Sequence, residues 1–366
     1  MKIIKKIVLT GGPCGGKSSG LAAVERHFTD KGYKVLIIRE SATELMLGGL
    51  SSSLQCPFQR ASMKLQLEKE KIFSAIAEEM PDQKILIICD RGVVDGRVYI
   101  PEEEYLADLA LYGTDEVEVR DRYDGVFHMV TAAYGAEEFY TLANNDVRSE
   151  TPEEARILDD RLKEAWSGHP HFRIIQNNGD FKEKLRKLIK EIAKCLGEPD
   201  PGEINKRFII RKPDIAALEA IPGCCRVDIA QSYLVSTDPN TTIRVRQRGL
   251  NGTYSYTKTV KRKLHGGGFF STEIRITKEE YRDMTFNADP ILRPIMKNRY
   301  CLVKDNIGYK IDVYPFWSDY AILEAEMDPD DELILPDFVE IVSDITGDQR
   351  FYNHSLARKL PDIGSL

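Results

Sequence analysis

The sequence predicts two domains of different class: an α/β domain with a parallel, helix-covered sheet over residues 1–196, and an antiparallel β domain over residues 203–366. Three observations carry the prediction. Short apolar runs alternate with helix-length amphipathic stretches as far as residue 196, the pattern of a parallel sheet with crossover helices. Gly197-Glu198-Pro199-Asp200-Pro201-Gly202 then breaks that pattern with helix terminators and turn formers, and reads as a linker over 197–202. Beyond it apolar and polar residues alternate with period two, as in strands with one buried face.

The elements of the first domain follow in order. Ile3 to Leu9 is the first strand, and Ser19 to Lys31 the helix after it. Val35 to Ile38, Lys84 to Cys89, Gly125 to Val130 and Phe172 to Gln176 are the remaining strands, each short and rich in branched residues. Phe58 to Met80 and Pro152 to Trp166 have helical periodicity; Thr151 and Glu154 form a capping box at the start of the second. Asn177-Asn178-Gly179-Asp180 follows the fifth strand and reads either as a turn with Asp180 capping a helix from Phe181, or as a remnant of a guanine-reading N-K-x-D element without its lysine.

Directly after the first strand stands Gly11-Gly12-Pro13-Cys14-Gly15-Gly16-Lys17-Ser18, a complete G-x-x-x-x-G-K-[ST] phosphate loop, with Ser19 continuing into the helix. Glycines allow successive backbone N–H groups to turn toward a phosphate, Lys17 sets a charge near the β- and γ-oxygens, and the Ser18 hydroxyl suits Mg²⁺. The helix N-terminus adds partial positive charge at the same place. ATP and GTP both fit this pattern. Asp90-Arg91 after the third strand and Glu40 after the second emerge at the same carboxyl edge, so Asp90 reads as a metal-binding or proton-accepting carboxylate and Glu40 as its partner. A helix cap or a surface charge is the plain alternative for each. Arg148, in the polar segment before the capped helix, reads as a lid arginine over the phosphates, with Arg120, Arg122 and Arg156 as surface arginines or assistants.

Composition narrows the partners. At 42% hydrophobic and 30% charged residues the chain has ordinary globular composition, and its net charge of −7 counts against general nucleic-acid binding. No apolar run approaches a membrane span. Lysines at positions 2, 5 and 6 interrupt the start, so no secretory leader is expected, and seven scattered cysteines without a zinc-like pair of motifs read as reduced thiols in the cytoplasm.

In the second domain, charged residues recur two apart: Glu203-x-Asn205-x-Arg207, Arg244-x-Arg246-x-Arg248, Glu273-x-Arg275, Lys297-x-Arg299 and Glu324-x-Glu326. Period two places each set on one strand face. A solvated face and an inward tunnel both fit the spacing; the sorting by sign favours a tunnel in which basic rows hold a polyphosphate and Glu324 and Glu326 hold a divalent metal, Mg²⁺ or Mn²⁺. The basic stretch Lys258 to Lys263, before His265 and Phe269-Phe270, reads as a loop, either a solvated hairpin tip or a contact for an anionic lipid surface.

Two resemblances extend these readings. The combination LTGGPCGGKSSG, IIRESAT, ICDRG, NNDVRSETPEEA and HPHFRIIQN resembles the kinase-like P-loop domain shared by NadR-type ribosylnicotinamide kinases and translocation-defect-type proteins, which implies nucleotide binding by Lys17 and Ser18, a DR pair in Asp90 and Arg91, and a lid position for Arg148. EINKRF, IRVRQRG, YSYTK, PIMKNRY, GYKIDVYP and LEAEMD are similar, in order, to strand motifs of the CYTH, or triphosphate tunnel, family. That resemblance implies an anion site of Arg244, Arg246, Lys258, Lys297 and Arg299, and metal ligation by Glu203, Glu324 and Glu326, with Asp312 as a further candidate. The family's first strand reads ExExK; here Asn205 replaces a carboxylate and Arg207 stands on the anion site where a lysine is usual. Binding of a phosphorylated ligand is therefore expected over hydrolysis. The combined expectation is a Mg²⁺-dependent ATP- or GTP-binding module joined to a module that binds a phosphorylated small molecule or an anionic phospholipid, with peripheral membrane association as an extension and no nucleic-acid partner. The two-domain resemblance implies a nucleotide switch in membrane trafficking; a nucleoside-like kinase and a metal-dependent tripolyphosphatase are the alternatives.

Overall fold

The computed structural model describes residues 2–139, 151–198, 206–263, 269–327 and 333–363. The chain divides into two compact units, Met1–Leu196 and Gly197–Leu366.

In the first unit five parallel strands, β1 (Ile3–Thr10), β2 (Lys34–Ile38), β3 (Lys84–Asp90), β4 (Gly125–Met129) and β5 (Phe172–Ile175), stand in the order β2-β3-β1-β4-β5. Helices α1 (Lys17–Asp30), α2 (Ser41–Leu47), α3 (Cys56–Glu79), α4 (Glu102–Leu111), α5 (Glu116–Asp121), α6 (Pro152–Trp166) and α7 (Phe181–Cys195) connect them. Ile85 to Cys89 are buried without alternation because a central parallel strand is covered on both faces. On one face Ile7, Leu9, Ile88 and Met129 pack against Val24 and Phe28 of α1 and Leu188 and Ile192 of α7. The chain builds outward from β1 to β2, returns through β3 between them, and then crosses to β4 on the other side. The carboxyl ends of β1, β3 and β4 therefore meet where the winding reverses, the place where open α/β sheets bind ligands. α6 opens with the expected box: Thr151 Oγ1 accepts from the Glu154 N–H at 3.2 Å and Glu154 Oε2 from the Thr151 N–H at 2.7 Å.

The second unit is a nine-stranded antiparallel sheet. In chain order its elements are β6 (Lys206–Arg211), α8 (Ile215–Glu219), β7 (Cys225–Leu234), β8 (Thr241–Leu250), β9 (Thr253–Lys263), β10 (Phe269–Arg275), α9 (Lys278–Thr285), β11 (Ile295–Lys304), β12 (Ile307–Val313), β13 (Tyr320–Glu326), β14 (Ile341–Asp344) and α10 (Asn353–Arg358). The strand order is β10-β9-β8-β7-β11-β12-β13-β6-β14. Two hairpins turn on residues with positive φ, Asn251-Gly252 (51° and 90°) and Asp305-Asn306 (51° and 60°), as two-residue turns matched to strand twist require. Lys258 to Lys263 extend β9 and do not form a loop, because they pair along β8 and β10. The outer face buries Phe208, Tyr300, Tyr309 and Leu323; part of the inner face buries Ile209, Ile295 and Ile322 beneath Phe351 and Leu356 of the C-terminal segment.

Candidate functional site

The phosphate loop is shaped by close backbone approaches. Gly11 has φ of 141° and lies so near β4 that a Cβ would stand 2.1 Å from the Met129 carbonyl oxygen. A Cβ on Gly12 would meet Asp159 Oδ1 at 2.7 Å. Cys14 (55°) and Gly16 (85°) also take positive φ, which turns the intervening N–H groups inward. Pro13 and Gly15 are buried and Ser18 and Ser19 are exposed on the first turn of α1, whose N-cap, Gly16, offers no side-chain acceptor to the helix. Lys17 is buried, with Nζ donating to the carbonyls of Gly11 (2.8 Å) and Gly12 (3.0 Å), so its ammonium is fixed over the loop.

Glu40, Asp90 and Arg91 assemble beside this loop, as the shared sheet edge requires. Arg91 Nε donates to Glu40 Oε1 at 2.5 Å, and Glu40 Oε2 accepts from Thr43 Oγ1 at 2.7 Å. The two carboxylates differ in environment. Burial pushes the Asp90 carboxyl up, and the Glu40 charge adds to this against the pull of Lys17. Burial acts in the same sense on Glu40, but Arg91, Thr43 and Lys17 together bring its carboxyl below the usual range. Asp90 is thus the better proton acceptor, and Glu40 is committed to holding Arg91. A cavity of about 750 Å³ opens beside them, lined by Glu40, Arg91 and Asp95 at one end and by Phe58, Met63 and Tyr99 among others.

Three further residues hold the site, and the motifs do not reveal them. Asp159 of α6 is fully buried; its Oδ1 accepts from the Gly12 N–H (2.9 Å), the Thr131 N–H (3.0 Å) and His128 Nε2 (2.9 Å), while Lys163 Nζ lies 3.2 Å from Oδ2. Burial pushes the Asp159 carboxyl up, yet His128, Lys163 and Gly12 hold it well below the usual range; burial likewise keeps His128 low, and neutral. Lys184 of α7 donates to the carbonyls of Gly15 (2.9 Å) and Val130 (2.6 Å) and to Asn177 Oδ1 (2.7 Å), and burial pushes it down to about 7. Asp95 accepts from the Gly92 N–H at 2.6 Å and from the Thr10 hydroxyl. The signal in the sequence is slight: Asp159 and Lys184 are polar residues on apolar stripes, Asp159 between Ala155 and Leu162 and Lys184 four before Leu188.

The Asn177 element resolves in favour of the turn. Asn177 Nδ2 donates to the carbonyls of Thr131 and Tyr134, and Asp180 caps α7 by accepting from the Glu183 N–H at 2.8 Å. Arg120 is buried and Arg122 half-buried, paired with Asp121 (2.8 Å) and Glu70 (3.5 Å), which corrects their reading as surface arginines. Arg148 lies outside the described residues.

In the second unit the register brings the charged residues onto one face. Arg207 stands opposite Glu324, Lys310 opposite Glu324, Arg299 opposite Asp312, Lys297 opposite Ile229, and Ile229 opposite Arg248. Arg207, Arg248, Lys297, Lys310 and Asp312 are all at most 9% exposed, so this is an inward face and the solvated reading fails. The carboxylates are paired. Asp312 accepts from Lys297 (2.5 Å) and from Arg299 (2.7 and 2.8 Å). Burial pushes the Asp312 carboxyl up, but these cations hold it well below the usual range. Glu273 accepts from Arg246 (2.8 Å) and from the Thr259 hydroxyl (2.7 Å), with Arg244 at 3.6 Å. Glu324 lies 3.9 Å from Arg207, and Glu326 accepts from Lys310.

One expected member of the anion site is misplaced. Lys258 stands opposite Val245 and Ile274, so its side chain is on the face opposite Arg244 and Arg246. The reason is parity: the arginines pair with Thr259 and Thr257, and a residue between these two points the other way. Glu203 and Asn205 lie outside the described residues, as does His265.

A family model described as an AAA domain matches residues 6–184. Among solved structures, the inorganic triphosphatase NE1496 is 23% identical over a match covering 44% of this chain and 100% of that one, with a TM-score of 0.33. A second structure of NE1496, as a hypothetical protein, gives 22%, 43%, 99% and 0.32 in the same order. The PH1012 protein from Pyrococcus horikoshii OT3 gives 17%, 34%, 79% and 0.25. No curated protein matches the chain. Among the described residues no helix is long and apolar enough to cross a membrane.

Proposed function

We propose that the first unit binds a nucleoside triphosphate with Mg²⁺ and transfers or hydrolyses its γ-phosphate, and that the second unit binds a phosphorylated anion on its inward face. The observation that carries the first half is the gathering of Lys17, Glu40, Asp90 and Arg91 at the carboxyl edge around a phosphate loop whose Gly11 and Gly12 are held closely by β4 and by Asp159 of α6. The exposed Ser18 hydroxyl is an oxygen donor that suits Mg²⁺, which when bound would neutralise charge on the phosphate oxygens. Lys17 and the N–H groups of the loop and α1 bind and orient the phosphates. Arg91, positioned by Glu40, supplies charge for the transferred group, and Asp90 takes the proton of the attacking hydroxyl or water.

The cavity of about 750 Å³ beside Glu40 and Arg91 favours transfer to a small acceptor, a nucleoside-like kinase, as the second reading, because it provides room for a molecule of that size next to the phosphates. A nucleotide switch that acts at anionic membranes is the reading implied by the translocation-defect resemblance, and a tripolyphosphatase that implied by the tunnel resemblance. Titration of the full chain with ATP and with GTP in Mg²⁺ tests the nucleotide-binding premise: the parent binds at least one of them, and Lys17→Ala binds it about 100-fold more weakly. Equal binding by the variant would end the proposal.

A further inference from the structure

The inward face of the second unit would need free carboxylates to hold a divalent metal, and the donor set present does not fit one. The expected ligands Glu324 and Glu326 flank Lys310, which lies opposite Glu324 in register and donates to Glu326. Glu324 has Arg207 at 3.9 Å on its other side. Asp312 is closed in a three-bond clamp by Lys297 and Arg299, and Glu273 is held by Arg246 and the Thr259 hydroxyl. Among the described residues this face therefore has no carboxylate without a bonded or adjacent cation, and its arginines and lysines outnumber its four carboxylates Glu273, Asp312, Glu324 and Glu326. A divalent ion bridging Glu324 and Glu326 would have to share Glu326 with the Lys310 ammonium, which is 7% exposed and cannot turn out to water without leaving that pair, and would meet Arg207 beside Glu324.

We infer that this face binds a condensed phosphate or a phosphate ester without a divalent metal, with the Lys310 ammonium on Glu326 standing in for the charge that a metal would supply. The inference rests on the proposal that the inward face is an anion site. Lys310 offsets Glu326 and Arg207 stands beside Glu324, and because the cations of the face outnumber its carboxylates a net positive charge remains for the ligand. Such a site discriminates by phosphate charge and is indifferent to Mg²⁺, whereas a metal-bridged site loses its ligand on chelation.

Calorimetric titration with tripolyphosphate of the full chain carrying Lys17→Ala, the parent for this experiment so that the phosphate loop adds no binding, tests this in EDTA and in Mg²⁺ or Mn²⁺. The parent is expected to bind in EDTA. Lys310→Ala is expected to lose at least about tenfold in EDTA, the scale of one charge-assisted bond, and to recover when Mn²⁺ takes the place of the ammonium at Glu326. Lys310→Arg keeps the charge and is expected to bind in EDTA as the parent does, which separates the charge from any effect on folding. Parent binding that appears only with metal overturns the inference and leaves the anion site standing. No binding with or without metal overturns the anion site itself, and the inference with it.

Discussion

Removing the Asp159 carboxylate should unfasten the phosphate loop from within. Its Oδ1 accepts from the Gly12 N–H, the Thr131 N–H and His128, and Lys163 lies opposite Oδ2, all at full burial. Hydrogen bonds to a charged group are each worth about 1.5–3 kcal/mol. The three are not additive, and taking one partner from a buried pair costs about 3–5 kcal/mol in total, so Asp159→Ala should destabilise the first unit by about that amount. Asp159→Asn keeps one acceptor oxygen but loses the charge facing Lys163, and should cost about half as much. The assay is urea unfolding of the full chain followed by tryptophan fluorescence. Trp166 belongs to the first unit and Trp317 to the second, so a Trp317→Phe background isolates the wanted transition. Nucleotide affinity should fall in step, since Gly12 loses the acceptor that fixes its orientation. An Asp159→Ala protein within about 1 kcal/mol of the parent, with unchanged nucleotide affinity, would refute the argument.

The other predictions are simpler. Lys17→Ala should lower nucleotide affinity by about 100-fold, measured by titration in Mg²⁺, while leaving tripolyphosphate binding by the second unit unchanged. Arg246→Ala should weaken tripolyphosphate binding by about tenfold or more, whereas Lys258→Ala, on the opposite face, should change it less than about twofold. Acid should destabilise the first unit in two stages. Below about pH 6.5 the unfolded chain protonates His128 and the folded one resists, so stability present above that pH is lost as pH falls; Asp159 adds a second loss below about pH 4, where the unfolded carboxyl protonates first. Melting temperatures from pH 8 to about pH 3 should decline accordingly, and His128→Gln should flatten the upper part of that decline.

Much of this architecture was legible because its signals are local. The phosphate loop, the capping box at Thr151, the cap at Asp180 and the break after Leu196 are each decided by a few adjacent residues. The convergence of Glu40, Asp90 and Arg91 followed from topology, since strands of a parallel sheet deliver their following residues to one edge. What escaped depends on long-range packing. Asp159 and Lys184 appear as ordinary charges on amphipathic helices until burial under the loop gives them work. Lys258 looked equivalent to its basic neighbours, and only the register with Val245 reveals its face. Lys310, two residues before Asp312, shares the same alternation, but its pairing with Glu326 needs the β12–β13 register to be seen.

The most direct test of the central claim is a ³¹P NMR time course of the full chain with Mg²⁺ and ATP, GTP or tripolyphosphate, run beside Lys17→Ala and Arg246→Ala. The account predicts that a nucleoside triphosphate loses its γ-phosphate in the parent and in Arg246→Ala, and keeps it in Lys17→Ala, while tripolyphosphate stays intact throughout. Phosphate release that survives Lys17→Ala and disappears in Arg246→Ala would place the chemistry on the inward face of the second unit and contradict the account.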